Sequence, residues 1–187
     1  MLLGKVIKNI DQEYKSIKFK NIRFNSNDCK SNDIFFAIKG NKLNGNNYIN
    51  DAIANGAKII VSNLKFEGFN KKKVLFIKSD NPKKLLAETA NNFYNKKPKN
   101  IIAVTGTNGK TSVADIFYQI FRINNVPVAS IGTLGIRYNG KIVKTNLTSP
   151  DTVSLHKNLQ FLKKKKINNV IIEASSHGLD QKRLHHL

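Results

Sequence analysis

Ile101-Ile102-Ala103-Val104-Thr105-Gly106-Thr107-Asn108-Gly109-Lys110-Thr111-Ser112 decides how this chain is read. An apolar, β-rich run breaks into a glycine turn and restarts as a helix over about 110–124, with Val113, Ile116, Phe117, Ile120 and Phe121 expected to face inward. Such a turn gathers backbone N–H groups and the positive end of a helix dipole at one point, which is the chemistry that receives phosphate. Lys110 would neutralise the β/γ-phosphates, and the Thr111 hydroxyl would ligate Mg²⁺. The strict P-loop spacing wants Gly at 104, where this chain has Val104, so the match is to the shorter form G-x-x-G-K-T. The competing reading is a glycine turn with an ordinary surface lysine. The order strand, turn, amphipathic helix favours the nucleotide.

Downstream, 128–131 reads as a second strand, and Asn139-Gly140 marks a hairpin. Asp151 can cap a helix running to about 166, with Val153, Leu155, Leu159 and Leu162 as its core side. Residues 169–174 form a third buried strand that ends on Glu173 and Ala174. Ligands in open α/β sheets bind beyond the carboxyl ends of strands, so Glu173 is either a magnesium ligand or a strand-end acid that merely reaches solvent. Ser175 and Ser176 lack the Gly-x-Ser-x-Gly elbow of a hydrolase. His177 reads as a hydrogen-bonded loop residue, His185-His186 as solvated, and Cys29 as incidental.

Upstream, imperfect alternation at Ile17, Phe19, Ile22 and Phe24 gives a strand, and 33–38 a short buried one. A helix follows over 48–55, then strands at 57–61 and 74–77. Asn81 and Pro82 open a second helix with an apolar stripe at Leu85, Leu86, Thr89, Ala90 and Phe93. Asn95-Lys96-Lys97-Pro98-Lys99-Asn100 is the linker candidate. The expected architecture is α/β: a small N-terminal α/β domain over 1–95, then a P-loop α/β central domain over 99–187 with a mostly parallel sheet.

The net charge of +20 would ordinarily suggest nucleic acid. However, 28 of the 32 basic residues are Lys, and Asn (26) and Ile (22) are inflated alongside them. All three have A/T-rich codons, and Arg, the better reader of phosphate and guanine, is scarce. A solvated lysine surface is the expectation. One cysteine excludes a disulfide framework. No apolar run reaches the ~18 residues of a membrane span, and no signal-peptide core follows Met1, so a cytoplasmic chain is expected.

Three segments then carry a resemblance: Thr105 to Ser112 (TGTNGKTS), Leu147-Thr148-Ser149-Pro150, and Glu173-Ala174-Ser175-Ser176-His177-Gly178-Leu179-Asp180-Gln181-Lys182-Arg183. Together they resemble the Mur ligases, and within that family the E-type branch. Phe24-Asn25-Ser26-Asn27 and the run from Ile34 to Gly40 are similar to the family's N-terminal domain. The resemblance implies an ATP- and Mg²⁺-dependent ligase of peptidoglycan synthesis acting on UDP-N-acetylmuramoyl-L-alanyl-D-glutamate and a diamino acid. The D-glutamyl carboxylate becomes an acyl phosphate, from which the amine then displaces phosphate. It assigns ATP to Gly106, Thr107, Asn108, Gly109, Lys110, Thr111 and Ser112, catalysis to Lys110 and Glu173, and magnesium to Thr111 and Glu173. Phe24, Ser26, Asn41, Lys42, Leu43, Thr148, Ser149, Ser175, Gln181 and Arg183 would hold the muramoyl precursor.

The chain departs from the family at Asn25-Ser26-Asn27, where Asp-Ser-Arg is usual, and at Ser149, where a second Thr is usual. The family's carbamylated lysine and amino-acid-selecting domain would fall beyond 187. The chain alone is therefore expected to be an inactive part of a monomeric ligase, and the strand ending at Ala174 to be left with an apolar edge. A sibling ligase such as a folylpolyglutamate synthase, or a basic nucleic-acid-binding P-loop protein, are the alternatives.

Overall fold

The structure, a computed structural model, describes residues 1–40, 43–145, 148–181, 183–185 and 187. The expected precursor residues Asn41 and Lys42, and Leu147 of the second motif, lie outside the described residues. The chain divides into two compact units, Met1–Phe93 and Tyr94–Leu187. Residues 95–98 of the expected linker carry no regular secondary structure.

The first unit holds strands β1 (Ile22–Arg23), β2 (Ile34–Phe36), β3 (Ile59–Ser62), β4 (Gly68–Phe69) and β5 (Leu75–Lys78), with helices α1 (Ile49–Ala54) and α2 (Pro82–Phe93). The sheet order is β1-β2-β3-β5-β4, and every pair is parallel except β4 with β5. Strands buried on both faces need apolar residues at every position, and Ile34-Phe35-Phe36 and Ile59-Ile60-Val61 supply them. Phe35, Ile60 and Phe76 pack with Ile49 and Ala52 of α1. α2 contacts β2 and buries Leu86, Ala87, Thr89 and Ala90. Its cap is Asn81, whose side-chain oxygen accepts from the Lys84 N–H at 2.9 Å. The expected long strand from Ile17 shrinks to two residues. The segment before β1 instead pairs by isolated backbone bonds, such as Phe19 N–H to Met1 O at 3.0 Å.

The second unit holds β6 (Asn100–Val104), β7 (Val128–Gly132), β8 (Gly135–Tyr138), β9 (Lys141–Val143) and β10 (Asn169–Glu173), with α3 (Lys110–Ile123), α4 (Thr152–Lys164) and the short α5 (Ser176–Asp180). Its order is β6-β10-β7-β8-β9. β10 runs parallel to both neighbours, while β8 and β9 are antiparallel additions. The Asn139-Gly140 turn has both residues at positive φ, as a two-residue hairpin turn requires. Asp151 caps α4 through the Ser154 N–H at 2.9 Å. Leu155, Leu159 and Leu162 of α4 close one face of the sheet over Ala129, Ile131, Val170 and Ile172. Each such leucine contributes roughly 1.5–3 kcal/mol of burial.

Two expectations fail in this unit. Val113, Ile116 and Ile120 do not face inward: they are exposed, Ile116 at 58%. The buried side of α3 is instead Ala114 and Tyr118, one helical step away, because the apolar arc opposite Ser112, Asp115, Gln119 and Arg122 is wider than the sheet can cover. Phe117 and Phe121, only half-buried, stack on each other at 4.4 Å. Nor is the strand ending at Ala174 an edge. β10 sits between β6 and β7, so the sheet edges are β6, where Ile102 is 42% exposed, and β9, where Ile142 is 65% exposed.

Candidate functional site

The register delivers the site. Glu173, the last residue of β10, pairs with Val104, the last residue of β6, so its carboxylate arises beside the start of the glycine turn. The turn ends on Gly109, which precedes α3 in the left-handed region at φ 79°. A Cβ is strained there, so the sequence needs glycine. Thr105 to Gly109 are exposed, leaving the loop open to an incoming anion. Lys110 folds back over the loop, and its Nζ donates to Gly106 O at 2.7 Å and Thr107 O at 3.2 Å.

Behind the loop, Glu173 is only 2% exposed. A buried carboxylate needs donors, and three reach it. The Thr111 hydroxyl donates to Oε2 at 2.8 Å, the Thr133 hydroxyl to Oε2 at 3.0 Å and the Thr133 N–H to Oε1 at 3.0 Å. Since the Thr111 proton goes to Glu173, its oxygen lone pairs are left for another partner. The donor set is all oxygen, hydroxyl plus carboxylate, beside the glycine turn. It fits a hard cation such as Mg²⁺, which takes one or two protein oxygens and completes its shell with phosphate and water. Among the described residues no group of three or more His, Cys, Asp or Glu forms a self-sufficient metal cage.

Next to Glu173 the second and third motifs lock together. Ser149 Oγ donates to Glu173 O at 2.8 Å and accepts from the Ser175 N–H at 3.0 Å, and the two serine hydroxyls lie 3.0 Å apart. Ser175 Oγ in turn accepts from the Gly178 N–H at 3.0 Å, capping α5. Arg183 donates to Ser149 O at 2.6 Å and grips Gln181 Oε1 through Nε and Nη2. Ser149 is 1% exposed with its hydrogen-bonding capacity consumed internally, so its side chain frames the site. Thr148 Oγ1 lies 3.2 Å from Thr133 Oγ1.

The first unit has its own concavity, a cleft of about 560 Å³ lined by Phe24, Ser26, Phe35, Leu43, Tyr48 and Asp51 among others. Three of the expected precursor residues, Phe24, Ser26 and Leu43, therefore share one cleft. The loop carrying Phe24 and Ser26 follows β1, which is tied down by the buried carboxylate of Asp33. Asp33 accepts from Asn21 N, Asn21 Nδ2, Arg23 Nε and Lys30 N at 2.9–3.2 Å.

Sequence reasoning missed Gly132, Thr133 and Asp33. A Cβ built on Gly132 would lie 2.0 Å from Glu173 Oε1, so the close approach of this strand end to the carboxylate requires glycine. The Gly132-Thr133 pair after a buried strand was the available signal. Asp33 was visible only as an acid opening an apolar run.

Residues 104–187 match the family model of the Mur ligase middle domain, and residues 18–94 match that of the Mur ligase family catalytic domain. The chain is 40% identical over 185 residues to the UDP-N-acetylmuramoyl-L-alanyl-D-glutamate--2,6-diaminopimelate ligase of Rickettsia conorii, covering 94% of this chain and 37% of the relative. The ligase of the same description from Rhizobium meliloti is 40% identical over 169 residues, covering 90% and 34%. The chain thus spans little more than a third of these relatives. A solved structure of a UDP-N-acetylmuramoyl-L-alanyl-D-glutamate--2,6-diaminopimelate ligase matches all of the chain and 38% of its own, with TM-score 0.79 and 24% identity. MurF ligase from Thermotoga maritima in complex with ADP matches 84% and 32%, with TM-score 0.55 and 22% identity. At those identities the two structures establish the fold.

Proposed function

This chain belongs to the Mur ligase family, and from that premise we propose that it supplies the nucleotide site and precursor contacts of a diamino-acid-adding ligase in peptidoglycan synthesis. The nucleotide is ATP, the acceptor UDP-N-acetylmuramoyl-L-alanyl-D-glutamate, and the incoming amine 2,6-diaminopimelate, as in the names of its relatives. The setting is the cytoplasm. Among the described residues no helix is long and apolar enough to cross a membrane.

A carboxylate is a poor electrophile, so the D-glutamyl carboxylate oxygen attacks the γ-phosphorus and ADP leaves. The amine then attacks the acyl carbon, phosphate departs and the amine loses a proton. The work of this chain is positioning and charge neutralisation, which dominate phosphoryl transfer. Lys110 exchanges its two loop carbonyls for phosphate oxygens. The N–H groups of Gly106 to Ser112 receive the remaining phosphate oxygens. Thr111 and Glu173 would hold Mg²⁺, which when bound neutralises charge on the β/γ-phosphates. Phe24, Ser26 and Leu43 hold the precursor in the first unit's cleft, with Asn41 and Lys42 beside them in sequence. In the second unit Thr148 meets the precursor, and Ser149, Ser175, Gln181 and Arg183 keep that edge in shape.

The observation that carries the reading is the 2.8 Å bond between Thr111, the first-turn residue after the lysine, and the buried Glu173 sixty-two positions later. Calorimetry tests it. Lys110→Ala should weaken Mg-ATP binding at least about tenfold, on the order of 1.4 kcal/mol. Equal affinities for parent and a folded variant would remove Lys110 from the site.

A further inference from the structure

We infer that Thr133, on the turn after β7, is the positioning residue that sets Glu173 for the cation; this rests on the nucleotide reading above. Glu173 is held by three bonds, and two of them come from this one residue, through its N–H and its hydroxyl. They reach different carboxylate oxygens, so Thr133 fixes both the plane and the roll of the group, whereas Thr111 touches Oε2 alone. Proton accounting gives the hydroxyls a direction. A carboxylate only accepts, so the single Thr133 proton goes to Glu173, and Thr148, 3.2 Å away, must donate to Thr133. The chain Thr148 to Thr133 to Glu173 therefore links the edge assigned to the precursor with the carboxylate assigned to the metal. The approach is specific to this position. Gly132 leaves no atom where a Cβ would overlap Glu173, which lets the Thr133 backbone come within bonding distance.

Thr133→Val keeps the N–H and the β-branched shape and removes one hydroxyl. Thr133→Ser keeps hydroxyl and N–H. Calorimetry on the full chain compares Mg-ATP with ATP in EDTA, and near-UV circular dichroism checks that each variant is folded. The Val variant is expected to bind Mg-ATP about tenfold more weakly, the size of one lost hydrogen bond to a charged group, with metal-free ATP unchanged within about twofold. The Ser variant should match the parent in both. Electron paramagnetic resonance of Mn²⁺ with ATP gives a second readout, in which the Val variant leaves more of the ion free. A folded Val variant with parental Mg-ATP affinity overturns the inference. So does equal weakening with and without metal, which is the mark of a merely structural role, or a Ser variant as weak as Val. A parent chain that binds no Mg-ATP overturns the nucleotide reading itself and the inference with it, whereas a binding parent with indifferent variants overturns the inference alone.

Discussion

The sheets of the two units are built from similar parts and covered differently. In the first, the central strands are buried on both faces, and α2 turns its apolar side onto the sheet. In the second, α4 covers one face with three fully buried leucines, but α3 on the other face turns a whole apolar stripe outward: Val113, Ile116, Ile120 and Ile123. α3 is fixed less by that stripe than by Ala114, Tyr118 and a polar clamp. Arg137 of β8 bonds Ser130 Oγ at 2.9 Å, pairs with Asp115 and stacks 4.6 Å over the Tyr118 ring. The helix that presents Lys110 and Thr111 is thus held by specific contacts, while its counterparts in the first unit are held by bulk burial. Energy and function are distributed differently in the two halves.

The sharpest way to break this contrast is one substitution made twice. Ile60→Ala, at a position with no exposed area, should cost about 2–5 kcal/mol. Ile116→Ala, on the outward stripe of α3, should stay within about 0.5 kcal/mol. Cys29 makes the first measurement specific to its unit. It is the chain's only cysteine, and burial pushes its thiol up to about 11. At pH 8 the folded thiol stays protonated and shielded, while unfolding returns it to ordinary acidity. Urea-dependent alkylation therefore reads the first unit alone, and far-UV circular dichroism reads both. A large cost at Ile116 would mean that the stripe is covered in solution.

Gly132→Ala comes next. The new methyl would overlap Glu173, so we expect roughly 1–3 kcal/mol of destabilisation confined to the second unit. The alkylation midpoint of Cys29 should not move. A shifted midpoint would show that the strain spreads into the first unit.

The two helix caps should differ least between the units. Asn81→Ala and Asp151→Ala each remove one 2.9 Å cap bond, at α2 and α4, and each should cost about 1 kcal/mol. Asp151 should lose a few tenths more, about 0.3, because its charge also meets the helix dipole. Urea titrations of both variants check the pair. A cap that costs nothing would show that its helix is held by packing alone.

The same contrast explains what could be read from sequence. Where the core is made of local, strongly patterned segments, reading and structure agree: α2 with its Asn81 cap, α4 with its Asp151 cap, and the Asn139-Gly140 hairpin all stand where pattern puts them. α3 defeats the reading because periodicity finds a broad apolar arc without saying which side of it gets covered. The position of β10 inside its sheet was equally invisible, since strand order depends on crossovers that no local pattern encodes. In the site, the gathering of Lys110, Thr111 and Glu173 at one end of the sheet was legible because they stand at a turn and a strand end. Thr133, Gly132 and Asp33 were not, because their importance lies in what approaches them from far along the chain.

That strand order also assigns an order of events to folding. In the first unit, β1, β2 and β3 pair as they succeed one another along the chain. In the second, β6 and β7 can be joined only through β10; the Asn100 side chain, for example, bonds that of Asn169 sixty-nine residues on. Closing so long a loop carries an entropic cost before any ladder bond repays it. On a ribosome, the first unit can fold while the glycine turn is still being made. β6 and the glycine turn behind it must wait, the strand apolar and unpaired, until β10 emerges to join them. For that interval they are the segment of the nascent chain most open to chaperones and to wrong partners.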